Sequence, residues 1–211
     1  MNFTEFKLLM FNKPFFTSKD LSGVEKLKPT LKLQLHKWIK QNKIIRLKKG
    51  VYTLNETDRK AELSPFLLAN ELYSPSYLSL EFALSYYNLI PEAVNVFTSI
   101  TTNKTKTIKN IYGTFYYNSI KKEYFWGFHN IKLKSNISFF IAVPEKAVID
   151  FIYFKIHSVV KDIKNELIQN YRFQNLDILD IKALENYKQK LKGKKILKSI
   201  EILKELILEW S

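Results

Sequence analysis

The stretch PTLKLQLHKWIKQNKIIRLKKGVYTL, Pro29 to Leu54, carries two periodicities in succession. Pro29 suits the first position of a helix, where its missing N–H costs nothing. Around it Leu27, Leu31, Leu35, Trp38 and Ile39 recur with helical spacing and fall on one face. Lys32, Leu33, His36, Lys37 and Lys40 fall on the opposite face. From Ile44 the pattern changes to β-rich runs, Ile44-Ile45-Arg46-Leu47 and Val51-Tyr52-Thr53-Leu54, separated by Lys48-Lys49-Gly50. That reads as a hairpin with a positively charged tip. The stretch therefore predicts a helix that packs on one side and is cationic on the other, followed by a basic β-hairpin.

Toward the N-terminus, Thr17 is a good N-cap for a short helix over Ser18 to Leu21, and Ser22-Gly23 ends it. An opening helix from Phe3 to Phe11 offers Phe3, Phe6, Leu9 and Met10 to cover the back of the unit. Helix, helix, recognition helix and wing is the layout of a winged helix-turn-helix, expected over residues 1–54. On DNA, the recognition helix would place Thr30, Leu33 and His36 toward base edges or a thymine methyl, with Lys32, Lys37 and Lys40 toward phosphates. Arg46, Lys48 and Lys49 on the wing, and Thr17 and Ser18 at the start of the short helix, complete the expected DNA-binding set. Leu33 is open to a second reading, packing against the wing.

Charge points the same way. The chain has 211 residues with 34 Lys+Arg against 20 Asp+Glu, a formal net charge of +14. Residues 1–60 hold fourteen basic and five acidic side chains, and Lys26 to Asn55 holds nine basic residues and no carboxylate. Such an uninterrupted field attracts a polyanion. The bland alternatives are a solvated lysine-rich face, or a winged helix serving as a protein-interaction module.

Asn55 to Leu63 is polar with mixed charge and is expected as a linker, placing a larger unit at residues 64–211. There Ser64-Pro65 opens a helix to Tyr73, and Ser79 with Glu81 caps another through Tyr87. Val94 to Thr101, Ile111 to Ser119, Tyr124 to Phe128 and Ile137 to Val143 read as strands of a small antiparallel sheet of about three to five strands. Thr102 to Asn110 reads as a basic loop with Lys104, Lys106 and Lys109. Pro144-Glu145 starts a helix, and Ser158 to Trp210 reads as three more, the last with Ile196, Ile200, Leu203, Ile207 and Trp210 in one stripe. Lys192, Lys194 and Lys195 belong to a second lysine cluster between Lys188 and Lys198. The fold class expected is α+β with a helical C-terminus.

Composition excludes several chemistries. There are no cysteines and three scattered histidines, His36, His129 and His157, so neither a disulfide scaffold nor a cysteine- or histidine-built zinc site is expected. Five glycines form no phosphate-cradling motif or nucleophile elbow. Glu145, Lys146 and Asp150 are the best carboxylate grouping for a metal-dependent nuclease, but capping and a surface salt bridge account for them. No catalytic residue, metal or cofactor is expected. Aromatics from Tyr112 to Phe128 read as core before they read as base-stacking groups. The longest strictly apolar run, Phe139 to Val143, is far short of a membrane span, and Glu5 and Lys7 interrupt any signal core, so a cytoplasmic protein is expected.

Three segments resemble a known family. Pro75 to Tyr87 (PSYLSLEFALSYY), followed by Leu89-Ile90-Pro91-Glu92, is similar to a signature of AbiEi-type antitoxins. So are Ala142 to Asp150 (AVPEKAVID), Thr98 to Thr102 with the basic loop after them, and Arg46 to Tyr52 (RLKKGVY). Phe82 stands where the family often has a small residue, and Tyr87-Asn88 where it often has His-Gly. The motif residues at both helix starts are expected to act as ordinary caps. The resemblance implies a non-enzymatic antitoxin of a type IV toxin–antitoxin or abortive-infection pair. Such a protein counteracts a nucleotidyltransferase-like toxin without a stable complex and represses its operon by binding inverted repeats, as a monomer in solution that pairs on DNA. The alternative is a stand-alone winged-helix regulator whose second unit senses a ligand or partner.

Overall fold

The computed structural model describes residues 1–23, 29–133, 137–156 and 162–210. Leu27, Lys26 and His157 lie outside them, as do the side chains of Thr30 and Lys32. The first elements are helix α1 (Phe3–Met10), strand β1 (Phe16–Thr17), helices α2 (Ser18–Gly23) and α3 (Pro29–Lys40), and strands β2 (Ile44–Lys48) and β3 (Val51–Leu54). The order of helices and hairpin is the one that the sequence predicts for residues 1–54. Asn2 and Glu5 form a reciprocal capping box at the start of α1. Asn42, at φ 55°, ends α3 with the amides of Asn42 and Lys43 donating back to Ile39 and Trp38. That is a Schellman-type stop, in which Asn tolerates the left-handed conformation.

A three-stranded sheet, β1-β3-β2, backs these helices; β1 is an element that sequence periodicity missed because two residues carry no period. Phe6, Met10, Phe16, Leu21, Leu31, Leu35, Trp38, Ile44 and Leu54 form one core. Trp38 meets Phe6 at 5.0 Å and Phe3 at 5.5 Å between ring centroids, fixing α3 against α1. Leu9, expected in this core, is 52% exposed.

Next come α4 (Pro65–Glu71), β4 (Ser76–Leu78), α5 (Leu80–Tyr86), β5 (Phe97–Thr101), β6 (Lys106–Asn110), β7 (Gly113–Ser119), β8 (Phe128–Lys132), β9 (Ser138–Ala142) and α6 (Pro144–Phe151). The helical C-terminus is α7 (Ile163–Asn165), α8 (Ile181–Lys188) and α9 (Lys194–Trp210). Ile196, Ile200, Leu203 and Ile207 of α9 are buried as its stripe predicts, whereas Trp210 is 48% exposed at the helix end.

The second sheet corrects the expectation of a small antiparallel one. It has six strands in the order β6-β7-β5-β4-β9-β8, and it is mixed, with β4 parallel to β9 and β5 parallel to β7. The basic segment read as a loop supplies the edge strand β6, because Ile108 is buried against the core while its lysine neighbours stay in water. Tyr124 is the end of a 3₁₀ turn, and the strand begins only at Phe128.

The stretch read as a linker is tied to both units through its middle, at Asp58 and Arg59. Lys7 pairs with Asp58 at 2.7 Å. The Arg59 guanidinium donates to Thr53 Oγ1, the Leu54 carbonyl and the Tyr112 hydroxyl, at 2.8, 3.0 and 3.3 Å.

Candidate nucleic-acid interface

The outer face of α3 carries several exposed groups of the first unit. Leu31, Leu35 and Trp38 turn inward at 5–8% exposure, so residues on the opposite side of the helix face water. Those are Leu33, 70% exposed, with His36, Lys37 and Lys40 also exposed. The exposure of Leu33 corrects the reading in which it packs against the wing.

The wing follows α3 in the chain, and its strand β2 packs against that helix. Its turn depends on Gly50 at φ +82°, a conformation that L side chains rarely adopt. The Gly50 carbonyl accepts from the Ser18 amide at 3.0 Å, which places the start of α2 at the wing tip. Thr17 is half-buried and acts as the α2 cap: its Oγ1 donates to Asp20 at 2.7 Å and accepts from the Lys19 amide at 3.2 Å. Asp20 also takes the Lys13 ammonium at 2.7 Å. The Lys13 and Thr17 hydrogen bonds hold its carboxyl down at about 2. Ser18, Arg46 and Lys49 are exposed.

Lys48 is placed differently from the other wing cations. Its Nζ donates to the carbonyl of Leu72, the residue that caps the C-terminus of α4. Burial and the neighbouring Lys106 hold its pKa below the usual lysine value, with Glu71 acting the other way. Burial likewise raises the Glu71 carboxyl, against the pull of Lys48.

Lys106 stands over the Tyr73 ring at 5.0 Å. Asn110 donates to the Leu47 carbonyl at 3.3 Å, so the edge strand β6 lies against the wing. Lys104, Lys106 and Lys109 are exposed there. Lys192, Lys194 and Lys195 are exposed at the start of α9, a separate element. The arrangement thus joins the wing and the β6 edge, and leaves the second lysine cluster on the helical layer.

A different group of residues is brought together inside the second unit. Lys146 and Asp150 form an ion pair with both side chains 1% exposed, which corrects the reading of a surface salt bridge. Ser79 Oγ and Tyr77 Oη donate to the same Asp150 oxygen at 2.8 and 3.0 Å. Lys146 also donates to Tyr77 Oη at 3.0 Å and lies 4.9 Å over the Trp126 ring. Burial, then the Asp150 charge, pushes the Tyr77 hydroxyl well up from its ordinary value.

Ser79 is therefore not the side-chain cap of α5. Thr98 takes that role, its Oγ1 accepting from the Phe82 amide at 3.1 Å and donating to the Ser79 carbonyl at 2.7 Å. Glu145 accepts from the Asp180 amide at 2.8 Å and stands apart from the Asp150 cluster. Among the described residues no group of three or more His, Cys, Asp or Glu is placed to hold a metal ion. None of their helices is long and apolar enough to cross a membrane. The i,i+4 spacing of Lys146 and Asp150 was the one visible signal of this cluster; the depth of their burial had none.

No curated protein matches the chain. Residues 4–55, the segment that builds α1 to β3 and includes Arg46 to Tyr52, match the family model described as transcriptional regulator, AbiEi antitoxin.

Proposed function

We propose that the chain binds operator DNA through α3 and the wing, represses its own operon, and acts as the antitoxin of a type IV toxin–antitoxin pair. The observation that carries the reading is that His36, Lys37 and Lys40 of α3 and Arg46 and Lys49 of the hairpin are all exposed, in a stretch without a carboxylate from Lys26 to Asn55. The family match over residues 4–55 supports the regulatory part. In this reading residues 1–54 read DNA, with Thr30, Leu33 and His36 toward bases and Lys32, Lys37 and Lys40 on phosphates. Lys104, Lys106 and Lys109 extend the positive surface past the wing. Two copies pair on inverted repeats, and residues 64–211 oppose a nucleotidyltransferase-like toxin in the cytoplasm without catalysis of their own.

The DNA half is tested by fluorescence anisotropy with the DNA upstream of the gene across a salt series. Affinity should fall steeply with salt, with a log–log slope of about −0.9 per phosphate neutralised. The double charge reversal Lys37→Glu, Lys40→Glu should weaken binding at least about tenfold with an unchanged melting temperature, since two phosphate contacts are replaced by repulsion. Unchanged affinity would remove α3 from the interface.

The antitoxin half is tested by growth. The protein encoded beside this chain should arrest a host when expressed alone, and the full chain should restore growth. Because the family match is confined to residues 4–55, a stand-alone regulator is the second reading; a harmless neighbour would select it.

A further inference from the structure

We infer that Lys48 is a positioning residue that locks the wing to the second unit, so that Arg46 and Lys49 alone present the wing's charge to DNA; this rests on the DNA-binding reading above. In a regular strand Arg46 and Lys48 would point to the same side, two residues apart. The β2–β3 register shifts between them, with Arg46 opposite Tyr52 but Lys48 opposite Val51. A bulge at this point re-aims a side chain. Arg46 stays exposed, and the half-buried Lys48 reaches across to α4.

Its acceptor explains why it stays there. Leu72 caps the C-terminus of α4, where carbonyls lack intrahelical partners and the helix dipole is negative. A lysine ammonium satisfies both needs. The joint is reinforced from either side of Lys48. The Asn110 side chain holds the Leu47 carbonyl, and the side chains of Leu47 and Val51 are buried in the core of the second unit, not in that of the first. Lys49, next along the turn, is exposed and is aimed by the anchor before it.

The experiment uses the full chain and the upstream DNA over a salt series, with Lys48→Met, Lys49→Gln and Asn110→Ala. Hydrogen exchange of the wing amides from Lys49 to Tyr52 is followed in parallel. Lys49→Gln should make the log–log salt slope shallower by about 0.9, one phosphate contact. Lys48→Met should leave the slope unchanged, lower affinity severalfold and speed wing exchange. Asn110→Ala, which removes no charge, should do the same and covers the case in which Lys48→Met fails to fold. A slope reduced by Lys48→Met as much as by Lys49→Gln would overturn the inference, since Lys48 would then neutralise a phosphate. Wing exchange untouched by both Lys48→Met and Asn110→Ala would also overturn it. A wild type with no salt-dependent DNA binding would instead defeat the DNA reading; accelerated exchange in Lys48→Met would then still establish the anchor.

Discussion

Asp20 shows how one carboxylate sets a local geometry next to the interface. It holds Thr17 and Lys13 at once, and through Thr17 it shapes the start of α2 at the wing tip. Its carboxyl titrates at about 2 in the folded protein, below the roughly 3.9 of an unfolded chain. A lowered folded pKa means that the stabilisation is complete above about pH 4 and is lost as pH falls toward about 2. Asp20 is a third exposed, so solvent screening limits the contribution to about 1 kcal/mol or less. Urea melts of the wild type and Asp20→Asn should differ by about that amount at pH 7 and converge near pH 2. A constant gap across that range would show that the charge is not what stabilises the turn. Lys48 makes the complementary point: a lysine adjacent to Lys49 in sequence faces a carbonyl instead of solvent, and no local pattern distinguishes the two.

At the scale of elements, the buried Lys146–Asp150 pair is the pin between α6 and β4. Asp150 accepts from both Tyr77 and Ser79, 73 and 71 residues earlier in the chain, so the PSYLS and PEKAVID segments meet at one carboxylate. Gly127 permits this closeness: a Cβ there would stand 2.9 Å from Lys146 Cγ. Removing one partner leaves an uncompensated buried charge, and Asp150→Ala should cost about 3–5 kcal/mol in urea unfolding. The apolar double variant Lys146→Met, Asp150→Leu should recover much of that loss, because it leaves no charge in the core. A loss under about 1 kcal/mol in the single variant would mean that water reaches the pair. The motif residues thus specify how α6 docks on the sheet, and the capping expected of Ser79 falls to Thr98 from the neighbouring strand.

Across the whole molecule, the described apolar side chains form two cores, yet the wing contributes to both: Ile44 and Leu54 to the first, Leu47 and Val51 to the second. With Arg59 and Lys48 bridging the same junction, the halves should unfold together. Amides of α1 and of β9 should lose exchange protection at the same urea concentration, and two separate transitions would show independent halves. Local period and charge encode the buried face of α3, its cationic outer face, the hairpin around Lys48-Lys49-Gly50, and the stripe of α9. These are readable because a side chain's direction follows from its position in a helix or strand. Long-range packing makes a basic loop the edge strand β6, mixes the sheet, turns Lys48 to Leu72 and brings Ser79 to Asp150. Each of these depends on which distant segment supplies a partner for a buried polar group or an open sheet edge, and that pairing is set by packing in three dimensions.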